Sequence, residues 1–406
     1  MSLPAAPGGL VSLDVRPGHP DFLDLPWHLP LERWAEGTDR LVELERGLSR
    51  HVVRFVGYPH GLYALKELPP YVAEREYHVL RELEQRRLPA VVAAGHATAQ
   101  PALSEGGATS MLITRHLDGS LPYRTLFMDP GLERYRDRLL DAIAGLLVRL
   151  HLAGVYWGDC SLSNTLFRRD AGELQTCLVD AETSSLPADF GEGHRRQDLL
   201  VLQENVAGEI ADLAATAAGQ AGLPGRDTGA SIRARYERLW EEISRQEVIA
   251  PGETYRIHER IRALNELGFS VGEVQLQPVE SGSRMRVRTI VTDRLYHHQL
   301  LHSLTGVVAR DRQAALMVNE IQEIRATLSG ARDRSVPMSE AAHVWLRERY
   351  LPAIRRLQPL GGDHGIDEPE RYCQVLEHKW YLSERERGDV GFDRALEDYV
   401  ERFARA

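Results

Sequence analysis

The chain has 406 residues, with 49 basic and 59 acidic side chains and a formal net charge of −10. This length holds two or three domains at roughly 100–200 residues each. The acidic balance excludes a protein coated for non-specific nucleic-acid binding, and a hydrophobic fraction of 43% excludes a disordered one. Three cysteines, Cys160, Cys177 and Cys373, without close pairing, exclude a disulfide scaffold and a C-x-x-C zinc site.

Met1 to Val15 has neither a basic start nor an apolar core, so it does not read as a secretory signal. No uncharged apolar run reaches 18 residues, which predicts no membrane span and a cytoplasmic location. Residues 1–40 are rich in Pro and Gly and read as an irregular lead-in with a short helix at Leu31–Ala35. Three strands follow at Leu41–Glu45, Val52–Val56 and Leu62–Leu68. The spacing predicts a helix over Ala73–Arg87, opened by Pro69-Pro70 and closed before Pro89. Ala90–Ala94 and Ser110–Thr114 read as strands, and Leu117–Pro122 as a linker. Leu132–Ala153 carries apolar residues at helical spacing. Short β runs at Thr165–Phe167 and Thr176–Val179 surround a turn at Arg168–Glu173. Helices are expected at Arg195–Ala218, Ser231–Val248 and Tyr255–Gly268, then a hairpin of Glu273–Val279 with Arg284–Val291. Helices at Ala314–Leu328, Glu340–Leu357, Glu370–Arg387 and Asp393–Ala406 complete the chain. Ala250-Pro251-Gly252 reads as a domain boundary.

The segment richest in chemistry is Val155-Tyr-Trp-Gly-Asp-Cys-Ser-Leu-Ser-Asn164, followed by Leu178-Val-Asp180-Ala-Glu182. Asp and Asn are turn residues, so D-x4-N alone is common. Here it precedes an apolar hairpin that ends on an Asp, the layout of a phosphoryl-transfer site. In that layout Asp159 orients or deprotonates an attacking hydroxyl, and Asn164 with Asp180 offers the hard oxygen ligands that Mg²⁺ prefers. Upstream, Lys66 lies in Tyr63-Ala-Leu-Lys-Glu-Leu, close to the V-A-I-K pattern in which lysine meets phosphates and a helix glutamate. Only two lysines occur in the chain, Lys66 and Lys379. In so arginine-rich a sequence, both are candidates for sites that need a compact ammonium. Glu76 shares a helix face with Val72, Val79, Leu80 and Leu83, whereas Glu74 shares the solvent side with His78 and Arg81. A carboxylate on an apolar face needs a cation, and Lys66 fits.

On these residues, about 41–210 resemble the protein-kinase-like superfamily, and within it the bacterial lipopolysaccharide (Kdo and heptose) kinases and small atypical kinases like them. The matching features are Ala-Leu-Lys66, Arg75-Glu76 with Leu80, His151-Leu-Ala-Gly-Val155, Gly158-Asp159 with Asn164, and Leu-Val-Asp180. The resemblance implies an α+β, bilobal fold: a β-rich N-lobe (41–115) and a helical C-lobe (116–250), with a further α+β domain behind them (251–406). It implies ATP and Mg²⁺ as cofactors, Lys66 on the phosphates, Glu76 as its partner, Asp159 as catalytic base, and Asn164 with Asp180 on the metal. Met111–Asp118 resembles the hinge that holds adenine, with Thr114 and His116 as its contacts.

Three departures stand out. The first β-turn, Glu45-Arg-Gly-Leu-Ser-Arg50, has a single glycine, so Arg46 or Arg50 is expected to cover the phosphates. Trp157-Gly158 replaces the usual His-Arg, which argues against control by activation-loop phosphorylation. Asp180-Ala-Glu182 replaces Asp-Phe-Gly, so Glu182 either adds a metal ligand or faces solvent. The missing Ala-Pro-Glu element argues for a small-molecule or atypical acceptor. The expected function is ATP- and Mg²⁺-dependent transfer of the γ-phosphoryl group to an unidentified hydroxyl acceptor. The alternative is a pseudokinase or nucleotide-binding scaffold working through its C-terminal domain.

The last third, with Leu376-Glu-His-Lys-Trp-Tyr-Leu-Ser-Glu384, resembles an uncharacterised domain found behind such kinase-like modules in high-GC bacteria. Arg284, Arg286 and Arg288 alternate with Met285 and Val287. From 284 to 312 there are six Arg against two Asp, which makes this face a candidate for an anionic partner. His298 and His302 stand four apart on one helix, yet no further ligand accompanies them, which favours a structural role. Cys160, beside Asp159, is a candidate for oxidation sensitivity.

Overall fold

The computed structural model describes residues 8–44, 51–59, 61–101, 107–129, 132, 135–216, 225, 227–250, 253, 255–278, 285–332, 334–358 and 367–403. Its contacts divide the chain into two compact units, Met1–Phe167 with Thr176–Tyr236, and Arg168–Gln175 with Glu237–Ala406. The Pro-Gly signal in the sequence points to a boundary at 250; the contacts divide at 236/237, inside a helix, and assign a hairpin tip to the second unit.

The first unit opens with an antiparallel sheet of six strands: β1 (Leu10–Val15), β2 (Leu41–Val42), β3 (Val53–Tyr58), β4 (Gly61–Leu68), β5 (Val92–Ala99) and β6 (Thr109–Arg115), ordered β1-β5-β6-β4-β3-β2. Lys66 faces Val53 on one neighbouring strand and Leu112 on the other, which fixes its place in the sheet. Tyr63, Leu65, Met111 and Ile113 are buried on one side, where Phe22, Trp27 and Trp34 cover them. The lead-in is therefore not irregular packing material. It supplies β1 and two fully buried tryptophans, whose indole N–H groups donate to Phe22 O (2.8 Å) and Leu29 O (3.1 Å). Pro and Gly pointed to loop there because they set the turns between anchors, while each anchor is too short to show periodicity. Gly95 lets β1 approach, since a Cβ at that position would lie 2.3 Å from Asp14 O.

Helix α1 (Val72–Gln85) buries Ala73, Glu76, Tyr77, Leu80 and Leu83 and exposes Glu74 and His78, the two faces expected from the spacing. The segment read as a linker instead contains β7 (Ser120–Leu121) and leads into α2 (Tyr123–Met128). Next comes α3 (Arg136–Leu152), which buries Leu139 and nearly all of its second half from Ile143 to His151. β8 (Thr165–Asp170) and β9 (Glu173–Leu178) join β7 in a three-stranded sheet ordered β7-β8-β9. Helix α4 (Glu192–Thr216) follows, and then α5 (Thr228–Ser244).

In the second unit, Gln246–Ile249 is a strand, β10, where helical spacing was expected to continue. With β11 (Ser270–Pro278) and β12 (Met285–Asp293) it forms a sheet ordered β10-β12-β11. The expected hairpin is present, and its arginine strand is central rather than an edge. Arg286 and Arg288 are exposed opposite Gln277 and Gln275; Arg284 and the hairpin turn lie outside the described residues. The helices are α6 (Tyr255–Glu266), α7 (Tyr296–Thr305), α8 (Asp311–Arg332), α9 (Met338–Val344), α10 (Leu351–Leu357), α11 (Glu368–Glu386) and α12 (Phe392–Phe403). A π-helical turn, Trp345–Tyr350, joins α9 to α10. Met317, Ile321, Trp345, Tyr350, Tyr372 and Leu396 form the core of this unit.

The hairpin tip 168–175 is built into this second unit. Asp170, 2% exposed, accepts from the backbone N–H groups of Arg312 (3.2 Å) and Gln313 (3.0 Å), capping the start of α8. Ala171 N–H donates to Glu370 (3.0 Å), which also accepts from the Gln313 amide (2.7 Å). Arg310 donates to Arg169 O and Asp367, both at 2.7 Å. Among the described residues, no helix is long and apolar enough to cross a membrane.

Candidate active site

In the first unit, the face of β4 opposite the tryptophans borders a cavity of about 1300 Å³. Val53, Ala64, Val91, Leu166 and Val179 give it an apolar portion, and Lys66, Asp159, Asn164 and Asp180 a polar one. Thr114, on β6, and His116, just past its end, also line it. His116 N–H donates to Leu62 O (2.9 Å), and burial holds the His116 imidazole below its ordinary value against the pull of Asp118. Arg50, expected at the phosphates, lies outside the described residues, as do Arg46 and Gly47.

Lys66 comes from β4 and Glu76 from the buried face of α1, ten residues apart in the chain. The Lys66 ammonium donates to Glu76 (3.2 Å), Asp180 (2.7 Å) and Glu182 (3.4 Å). Burial alone would lower the lysine, but its three carboxylate neighbours raise it above its ordinary value. Glu76 is fully buried, and that burial pushes its carboxyl up while Lys66 pulls it down. Its second oxygen accepts from Ala181 N–H (3.0 Å), so the glutamate ties α1 to the turn after β9. Glu182 neither stands in open solvent nor stands alone: His51 meets it at 3.0 Å, and its own N–H donates to Asp180 (3.0 Å). Sequence reasoning passed over His51 because it precedes β3 without any motif.

Asp159 and Asn164 also line the cavity. The Asn164 amide donates to Asp159 O (3.0 Å) and reaches Asp159 Oδ2 at 3.3 Å. Val179 N–H donates to Asn164 O (3.0 Å), which aligns the start of β8 with the end of β9. Asn164 and Asp180 therefore flank one hairpin. Gly158, at φ +84°, explains why no arginine precedes Asp159: a Cβ there would lie 2.9 Å from Thr183 O.

A layer beneath this loop was not read from the sequence. Asp198 of α4 is fully buried and accepts from the N–H groups of Trp157 (2.9 Å) and Gly158 (2.8 Å). His151 links it (3.1 Å) to the Tyr236 hydroxyl (2.8 Å), and burial lowers His151 against the attraction of Asp198. Glu209 accepts from the N–H groups of Leu162 (2.9 Å) and Ser163 (2.7 Å). The available signal was the placement of Asp198, Asn205 and Glu209 at helical spacing among Leu202, Val206, Ile210 and Leu213. Polar groups on an apolar stripe have partners.

The remaining candidates, Cys160, the histidine pair and Lys379, resolve differently. The Cys160 thiol is fully buried, and that burial pushes it well above its ordinary value, so it lacks the exposed thiolate that oxidation needs. The His298 ring donates to Ala309 O (2.6 Å) within the second unit, as a structural histidine would. Lys379 pairs with Asp389 at 3.2 Å. Among the described residues, Glu76, Asp180 and Glu182 form the group of acidic side chains close enough to share a cation.

Residues 59–223 match the model of the lipopolysaccharide kinase (Kdo/WaaP) family, and residues 238–404 match a domain of unknown function (DUF4032). Among solved structures, WaaP in complex with acyl carrier protein is similar at 16% identity and a TM-score of 0.37, over 63% of this chain and 99% of that one. The BubR1 kinase domain is similar at 18% identity and a TM-score of 0.28, over 38% and 49%. No curated protein matches the chain. Residues 59–223 are thus similar to a kinase-like phosphotransferase of the lipopolysaccharide kinase type, and residues 238–404 to the uncharacterised domain, in a fold that is α+β.

Proposed function

We propose that the first unit transfers the γ-phosphoryl group of ATP to a hydroxyl acceptor with Mg²⁺ bound, in the cytoplasm where ATP is made. The observation that carries the reading is Lys66, which bridges Glu76 and Asp180 at a cavity that Asp159 and Asn164 also line. The donor set suits Mg²⁺, because Asn164 and Asp180 offer hard oxygens, and Glu182 stands beside Asp180. Bound Mg²⁺ would neutralise charge on the phosphate oxygens. Lys66, released from part of its carboxylate contact, would meet the α- and β-phosphates, while Glu76 keeps it in place. The apolar walls and the Thr114–His116 segment would take the adenine.

In the reaction the acceptor oxygen bonds to the γ-phosphorus as the bond to the β,γ-bridging oxygen breaks, and ADP leaves with that oxygen. The acceptor's proton would pass to the Asp159 carboxylate, which lines the cavity. Such positioned proton transfer contributes typically 10²–10⁴-fold.

Two measurements test the reading. Mg-ATP at about 100 times its Kd should stabilise the wild type by roughly 2.7 kcal/mol in a thermal titration. Lys66→Met and Asp180→Asn should lose that shift; an unchanged shift in both would refute the site. Asp159→Asn should keep the shift and lose turnover, read as slow ATP hydrolysis. A wild type that binds Mg-ATP yet turns over no faster than Asp159→Asn would make this a nucleotide-binding scaffold instead.

A further inference from the structure

Helix α4 presents three polar side chains to the loop that carries Asp159. Asn205 and Glu209 stand seven and eleven positions after Asp198, so all three share one helix face. Asp198 and Glu209 hold the loop by its backbone N–H groups, at Trp157 and Gly158 and at Leu162 and Ser163. Asn205 reaches the reactive side chain itself. Its amide donates to Asp159 Oδ1 (2.9 Å) and to Cys160 O (3.0 Å), while the Asn164 amide approaches the other carboxylate oxygen.

We propose that Asn205 is a positioning residue that sets the plane of the Asp159 carboxylate for the phosphoryl-transfer step. The inference rests on the reading of Asp159 as the base. The last torsion of an aspartate is broad and two-fold, so its carboxylate turns readily unless something holds it. A donor on each oxygen supplies that hold, and Asn205 is itself fixed by its second bond to the loop backbone. An amide is suited to the task because it donates without adding charge. A cation in its place would weaken the base, and a second carboxylate would compete with it for the proton. Loss of the hold displaces the proton acceptor by a fraction of an ångström or more, and misplacement by 1 Å costs about 100-fold.

The test uses the full chain, with Mg-ATP hydrolysis as the probe reaction, in the wild type and in Asp159→Asn, Asn205→Ala and Asn205→Asp. Asn205→Ala should lower kcat by roughly 10- to 100-fold, with KM for ATP within about twofold of the wild type. Asn205→Asp keeps the shape but cannot donate to Asp159, so it should lose kcat as Asn205→Ala does while KM for ATP stays. A residue that merely supported the fold would lower the melting temperature and ATP affinity together. Wild-type kcat in Asn205→Ala overturns the proposal while leaving Asp159 as base. Equal rates for the wild type and Asp159→Asn overturn the reading of Asp159 and the positioning role with it.

Discussion

Gly158 shows how one residue can decide what its neighbours are able to be. Its φ of +84° and its closeness to Thr183 O leave no room for a side chain. Any larger residue there strains the backbone at the step before Asp159. Gly158→Ala should destabilise the first unit by about 1–3 kcal/mol, read as a lower denaturation midpoint, and should lower turnover more than nucleotide binding. A wild-type midpoint would show that the loop can relax around the added methyl. Lys66 and Glu76 illustrate the complementary case, a charged pair whose partners were legible. Glu76 sits on an apolar helix face, and the lysine of the preceding strand was the cation that fitted it. His51 was not legible, because a histidine in a short turn carries no periodicity and its partner Glu182 is distant in sequence.

At the scale of elements, α1 could be read from spacing alone, since it has one buried face, and the β8–β9 hairpin in outline only, because both strands run into the 168–173 stretch read as a turn. The lead-in could not. Its strand β1 pairs with β5, about eighty residues on, and its tryptophans are held by tertiary contact rather than local pattern. The end of α5 failed for a related reason: Gln246–Ile249 leaves the helix because β12 offers it a partner strand. The hairpin tip carries a pH prediction. Burial pushes the Asp170 carboxyl from an ordinary 3.8 up to about 6, with the N–H groups of Gln313 and Arg312 pulling the other way. The folded state therefore holds its proton more tightly than the unfolded state. The contribution to stability is fully present below about pH 3.8 and is lost as pH rises through about 6. Asp170→Asn cannot titrate, so the difference in stability between pH 4 and pH 7 should shrink, by an amount on the order of 2–3 kcal/mol. Urea midpoints of both proteins at those two pH values decide the matter, and identical pH slopes would remove Asp170 as the cause.

At the scale of the whole molecule, the division at 236/237 does not cut the chain into two consecutive pieces. A fragment 237–406 matches a recognisable domain, yet it omits the eight residues Arg168–Gln175 that belong to the same compact unit. Without them, α8 loses the Asp170 cap and Glu370 loses the Ala171 N–H. Loss of a helix cap alone costs about 0.5–2 kcal/mol. The excised fragment should melt below the same unit in the full chain, with amide exchange fastest at Arg312 and Gln313. Fusing 168–175 to the fragment through a flexible linker should restore part of the loss, and equal melting of fragment and full chain would show the tip to be dispensable. The ordering of synthesis gives the arrangement a further meaning. Ala171 leaves the ribosome 199 residues before Glu370 does. At about 5–20 residues per second the wait is roughly 10–40 s. For that interval the Ala171 N–H lacks its Glu370 acceptor, and the Asp170 carboxylate waits for the amides of Arg312 and Gln313, 142 and 143 residues on. A chaperone or a translational pause acting in that window would touch this segment, and a chain terminated early would display it permanently.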